Sequence, residues 1–196
     1  MSNGNHHHHS GLDLYRPHVV SLFAGCGGSS TGYDLDGCRV LAMVEWEQNA
    51  VETYRLNHPD TVIFHQDIQT VTGEDLLNAI GLGVGELDIL DGSPPCQGFS
   101  TAGKRIIEDP RNQLFKDYVR LLQELQPKVF VMENVSGLIK GKMKPVFVEI
   151  LTTLKQCGYQ VKARLLNTQY YEVPQKRKRV IFIGVRNDLD IEPTFP

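Results

Sequence analysis

An open, doubly wound α/β sheet, mostly parallel, is the fold class this sequence predicts. Three observations point to it. Six short apolar runs rich in Val, Ile and Leu are spaced along the chain, and strands buried on both faces of a parallel sheet read that way. Apolar residues at helical spacing lie between the runs. Glycines, acids and a cysteine fall at or just past the run ends, and in open α/β sheets the ligand crevice lies outside the carboxyl ends of the strands.

The first run, residues 18–23, ends in a glycine-rich turn at 24–28, with a helix expected from Ser29. The second, 40–45, ends on Glu45, and runs at 62–64, 87–90, 129–132 and 180–185 complete the set. Across 112–126, Leu114, Phe115, Tyr118, Leu121, Leu122 and Leu125 keep helical spacing, and Pro127 ends the pattern. Residues 145–157 predict a further helix, with Gly158 as its C-terminal stop. No internal repeat or shift in composition marks a second domain, so residues 12–196 read as one domain. Residues 1–11 carry His6 to His9 among small polar residues and read as a disordered expression tag with no bearing on metal binding.

With 41% hydrophobic and 22% charged residues in a chain of 196, the composition is that of a globular domain with a core. No apolar run approaches the ~20 residues of a membrane-spanning helix, so no membrane partner is expected. Cys26, Cys38, Cys96 and Cys157 form no C-x-x-C pair and follow no secretory signal. A reduced, cytoplasmic compartment is therefore expected. Cys38 and Cys157 read as buried, inert thiols. The net charge of −3 argues at first against nucleic acid. Between residues 139 and 186, however, eleven basic residues face only Glu149 and Glu172, so that stretch carries +9 and the rest of the chain −12. A basic face for nucleic acid and ordinary solvated surface both fit this asymmetry.

Phe23-Ala-Gly-Cys-Gly-Gly28 lies between the first strand and the first helix. Glycines there let the backbone turn sharply and approach a ligand. With Glu45 ending the next strand, where an acid can bind ribose hydroxyls, the pair suggests a nucleoside site. A dinucleotide site would need glycine where Ser30 stands. Trp46 is the only tryptophan; it can be core or a flat face for adenine. Asp67 can accept from an adenine amino group or cap a turn.

Asp91-Gly-Ser-Pro-Pro-Cys-Gln-Gly-Phe-Ser100 carries the chemistry. Two prolines hold the Cys96 thiol in a rigid bend after a strand, and Gly92 and Gly98 are expected to remove bulk near the sulfur. This stretch resembles the Pro-Cys motif of the DNA cytosine-5 methyltransferases. Phe23 to Gly27 is similar to that family's F-x-G-x-G motif, Glu133-Asn134-Val135 to its E-N-V motif, and Gln175-Lys-Arg177-Lys-Arg179 to its Q-x-R-x-R motif. The four occur in the family's order and extend from residue 19 to about 185.

The resemblance implies a Rossmann-like methyltransferase fold that uses S-adenosylmethionine (SAM) and releases S-adenosylhomocysteine. The implied substrate is cytosine flipped out of double-stranded DNA. Cys96 would add to carbon 6 of the base, making carbon 5 an enamine carbon able to attack an electrophilic methyl. Glu133 would bond the ring N3 and exocyclic amine. The resemblance gives Arg179 to the base carbonyl and Arg177 to a phosphate and the Cys96 loop. It gives the SAM pocket to Phe23, Gly25, Gly27, Glu45, Trp46, Asp67, Ile68 and Leu114. Ser21 stands where an Asp is common in the family. Residues 98–111 are expected to be a mobile loop closing behind the base, with Gln97, Ser100, Lys104 and Arg105 at the DNA.

Members of that family continue past Q-x-R-x-R into a variable DNA-reading domain and return with a final motif. Expected partners are therefore DNA and either a missing C-terminal region or a second chain carrying target recognition. A bacterial, nucleoid-associated restriction-modification role follows from the same resemblance. Alone, the chain is expected to be inactive. The competing readings are a transfer-RNA cytosine-5 methyltransferase of the same fold, a non-catalytic regulatory subunit, and a nicotinamide dehydrogenase. Intact Cys96 and Glu133 speak against the regulatory subunit; the dehydrogenase leaves Cys96 and Q-x-R-x-R unexplained.

Overall fold

A computed structural model describes residues 15–95 and 113–196. Strands β1 (His18–Leu22), β2 (Arg39–Glu45), β3 (Val62–His65), β4 (Ile89–Gly92), β5 (Val129–Val135), β6 (Tyr159–Asn167) and β7 (Lys178–Arg186) form one sheet. The helices are α1 (Gly28–Leu35), α2 (Gln48–Asn57), α3 (Gly73–Ile80), α4 (Gln113–Leu125) and α5 (Lys144–Gln156). The sheet order is β3-β2-β1-β4-β5-β7-β6. The first five strands run parallel; β7 runs antiparallel to both β5 and β6.

Both faces of the inner strands β1, β2, β4 and β5 are covered, as their continuous apolar runs require. In β1, Val20 and Leu22 join the main core with Leu121, Leu122 and Leu125 of α4, while Val19 packs with Val40 and Cys38 on another side. Helix α3 begins with a reciprocal capping box between Thr72 and Asp75, which satisfies two otherwise orphan backbone donors. Gly158 follows α5 with φ +93°, the left-handed stop expected of it. Burial raises the Cys38 and Cys157 thiols above their ordinary range, in keeping with inert core cysteines.

The structure adds elements the sequence pattern did not single out. Helix α2 carries only Val51 and Tyr54 as buried residues, too few for a clear stripe. Strand β6 lies at the edge of the sheet, and Lys162 and Arg164 interrupt its apolar pattern because one side faces solvent. Glu133 lies inside β5 rather than just past its end. Parallel pairing with β4 stops at Met132, but β7 pairs with β5 as far as Val135 and lengthens the strand. Gly92 has a packing reason as well. A Cβ there would meet Tyr118 Cε2 at 2.8 Å and Leu22 Cβ at 3.3 Å, so its smallness admits α4 and β1 packing.

Candidate functional site

The turn after β1 is built from unusual backbone. Phe23 (φ +55°), Gly25 (+55°) and Gly27 (+90°) all lie in the left-handed region, which is rare for a bulky residue such as Phe23. Neighbouring elements hold it there. Ala24 N donates to Val44 O at 3.2 Å, and Gly25 N donates to Glu45 Oε2 at 2.8 Å. A Cβ on Gly27 would sit 2.7 Å from His58 Nε2, so glycine is needed for space as well as for φ. Glu45 Oε1 also accepts from the amides of Trp46 and Glu47, both at 2.9 Å. The acid at the end of β2 thus ties the glycine turn to the start of α2.

These pieces enclose a cavity of about 320 Å³ lined by Phe23, Val44, Glu45, Trp46, Gln66, Asp67, Ile68, Gln69 and Leu114. Six of the residues expected at the cofactor line it together, and Gly25 and Gly27 form the adjoining turn. Val44, Gln66 and Gln69 were missed; the two glutamines flank Asp67 and Ile68 as polar neighbours but form no motif. Trp46 is 72% exposed, which removes the reading of it as core. Asp67 Oδ1 caps a single 3-10 turn, Ile68–Thr70, by accepting from Gln69 N at 3.0 Å. That turn is held by Arg120 of α4, which donates to Ile68 O and Val71 O at 2.9 Å each. Arg120 is a supporting residue that no motif announced.

On the neighbouring strands, Arg179 Nε stands 2.6 Å from Glu133 Oε1 and Arg177 NH2 3.7 Å from it. The antiparallel register brings them together: Arg179 pairs with Val135, and Glu133 is two residues back on the same face. The Gln175–Arg179 segment is tied to the end of β6 through Thr168, whose N donates to Arg177 O at 3.0 Å and whose Oγ1 donates to Gln175 O at 2.5 Å. Gln175, Lys176, Arg177, Lys178 and Arg179 line a polar groove of about 510 Å³ with Ser136. Asn134 is buried. Its Oδ1 accepts from Val135 N at 2.8 Å, and its Nδ2 donates to Pro94 O at 3.3 Å. The E-N-V segment therefore grips the bend two residues before Cys96. Cys96, Gln97, Ser100, Lys104 and Arg105 lie outside the described residues, as do the predicted loop at 98–111 and the tag. Not all of the basic stretch gathers at this groove. Lys162 pairs with Glu192 at 2.7 Å, and Arg186 pairs with Asp188 at 2.7 Å and donates to the carbonyls of Gly85 and Gln126.

A parallel sheet with an antiparallel seventh strand, and an acid-rimmed cavity at its carboxyl edge, define the Rossmann-like methyltransferase fold. Solved structures agree. A prophage-encoded protein of E. coli described as a DNA modification methyltransferase superposes with TM-score 0.77 at 31% identity, over 91% of this chain and 49% of that one. The DNMT2 of Spodoptera frugiperda superposes with TM-score 0.70 at 27% identity, over 88% and 51%. Within this class the chain belongs to the C-5 cytosine-specific DNA methylase family, whose model matches residues 18–196. Curated relatives include the Type II methyltransferases M1.HphI of Haemophilus parahaemolyticus, 42% identical over 90% of this chain and 47% of its own length, and M.NgoPII of Neisseria gonorrhoeae, 40% identical over 91% and 50%. The chain thus spans about half the length of these relatives. It covers 71% of M.AquIA from Picosynechococcus, at 39% identity.

Proposed function

We propose that the chain is the cofactor-binding and catalytic half of a SAM-dependent DNA cytosine-5 methyltransferase of restriction-modification type. The observation that carries this reading is convergence. Residues as far apart in sequence as Phe23 and Leu114 line one cavity, beside the strand whose end leads into the Pro-Cys bend. The cavity fits SAM by its chemistry: an exposed indole and the apolar Ile68, Val44 and Leu114 for adenine, and Glu45 and Asp67 for ribose hydroxyls and the adenine amine.

SAM supplies an electrophilic methyl group. Cys96, as thiolate, would add to carbon 6 of a flipped cytosine and so make carbon 5 nucleophilic toward such a methyl group. Glu133 bonds the pyrimidine edge, oriented by Arg179 and Arg177. Loss of the carbon 5 proton and the thiol releases methylated DNA. Lys176, Lys178 and Arg177 supply phosphate contacts, which position DNA without reading its sequence, while Arg179 faces the base carbonyl. Sequence reading is assigned to the remainder of the enzyme, whether joined to this chain or carried by a second one.

The test is methyl transfer from labelled SAM by this chain together with that remainder, on duplex DNA and on transfer RNA. Transfer to duplex DNA at a defined sequence supports the reading. Transfer confined to transfer RNA replaces the substrate. Sequence-specific methylation by this chain alone overturns the half-enzyme assignment.

A further inference from the structure

Asp91 is a buried carboxylate that neither the cavity nor the Glu133 cluster uses. It lies in β4, five residues before Cys96. Three hydroxyls donate to it. Ser21 of β1 reaches Oδ2 at 3.1 Å, Ser29 of the first turn of α1 reaches Oδ2 at 2.7 Å, and Tyr33 of the next turn reaches Oδ1 at 3.3 Å. Ser21 and Asp91 are register partners on adjacent parallel strands. No ion pair to Asp91 occurs among the described residues.

This is a costly group for mere packing, since an uncompensated buried carboxylate is strongly disfavoured. Burial pushes the Asp91 carboxyl up, against the downward pull of the three hydroxyls. What the carboxylate offers is acceptor capacity without a donor, so it can collect hydroxyls arriving from different elements. Those elements are specific. Ser21 stands on the strand entering the glycine turn, and Ser29 and Tyr33 stand on the helix leaving it. Asp91 itself stands on the strand leading to the Pro-Cys bend, whose Pro94 carbonyl is gripped by Asn134.

We propose that Asp91 is a positioning residue that locks the glycine turn of the cofactor cavity to β4, the strand that leads to Cys96. Bound methyl donor and nucleophile then keep a fixed spacing. The proposal rests on the methyl-transfer reading above. It predicts that what matters is a carboxylate between these two strands, not its strand of origin.

The experiment uses the active enzyme carrying this chain, with the variants D91N, D91S and the exchange S21D/D91S. Each is assayed for SAM affinity, single-turnover methyl transfer and melting temperature, at a temperature well below melting. D91S should slow single-turnover transfer by about 10- to 100-fold, the scale of an ångström-sized misplacement of reacting groups, with a smaller change in SAM affinity. D91N should lose less, because an amide oxygen still accepts from the two serines. S21D/D91S should recover most of the rate lost in D91S. A D91S enzyme with unaltered transfer, or an exchange variant no faster than D91S, overturns the proposal. If the unaltered enzyme transfers no methyl group, the functional reading falls and this proposal with it. An active enzyme indifferent to Asp91 removes this proposal alone.

Discussion

Replacing Trp46 by alanine separates ligand binding from folding. Its side chain is 72% exposed at the lip of the cavity, so the free protein has little to lose. Exposed substitutions usually stay within about 0.5 kcal/mol, which for a domain of this size shifts melting by only about 2 °C. The loss should fall on SAM. An adenine lying on one face of the indole hides about 80 Å² of apolar surface at about 25 cal/mol per Å², giving about 2 kcal/mol, or about 30-fold in Kd. Loss of base–aromatic stacking on alanine substitution costs a similar amount. Titration calorimetry with SAM on the parent and on Trp46→Ala measures the difference. Because the chain has one tryptophan, the parent's own fluorescence should also respond to SAM. Equal affinity in the variant, or a melting temperature several degrees lower, would refute the stacking argument.

Three further outcomes follow from the geometry. Glu45→Ala should weaken SAM binding by more than 10-fold, from charge-assisted bonds of about 1.5–3 kcal/mol each. It should also lower the melting temperature, because the same carboxylate holds the amides of Gly25, Trp46 and Glu47. Gly27→Ala should destabilise the fold by about 1–3 kcal/mol in a denaturant titration, since a side chain at φ +90° is strained and its Cβ meets His58. Asp88, at the amino end of the central strand β4, is raised by burial, but bonds from His18 N, Lys128 and Tyr15 outweigh this and hold it below its ordinary 3.8. A depressed folded-state value means its contribution is present above about pH 4 and is lost as pH falls through that lower value. Asp88→Asn should therefore be less stable than the parent near neutrality and converge with it in acid, with SAM affinity unchanged.

Much of this arrangement could be read from the chain because parallel strands and glycine turns write strong local patterns. The runs at 18–23, 40–45 and 129–132 had to be continuous, since both faces of those strands are covered. Phe23, Glu45, Trp46 and Asp67 stood out as candidates because each sits at or just past a strand end, whereas Ile68 and Leu114 were placed there only by the family resemblance. What escaped depends on contacts made at long range. Arg120 serves the cavity only because α4 passes beside the 3-10 turn. The position of Glu133 inside β5 depends on the antiparallel return of β7, which no local pattern announces. Asp91 reads as part of the Pro-Cys motif until Ser21, Ser29 and Tyr33 are found around it. Strand β6 hides its register because it is an edge with one solvated side.

Cys96 is proposed to bond covalently to the base beside the cavity assigned to SAM. Trapping tests it directly: with carbon 5 fluorinated there is no removable proton, so the adduct on duplex DNA cannot resolve. The enzyme carrying this chain, incubated with SAM and 5-fluorocytosine duplex, should give a stable complex whose cross-linked peptide maps to Cys96. Cys96→Ser should give none while still binding SAM. A stable complex formed by the serine variant, or a cross-link mapped to another residue, would rule out Cys96 as the nucleophile.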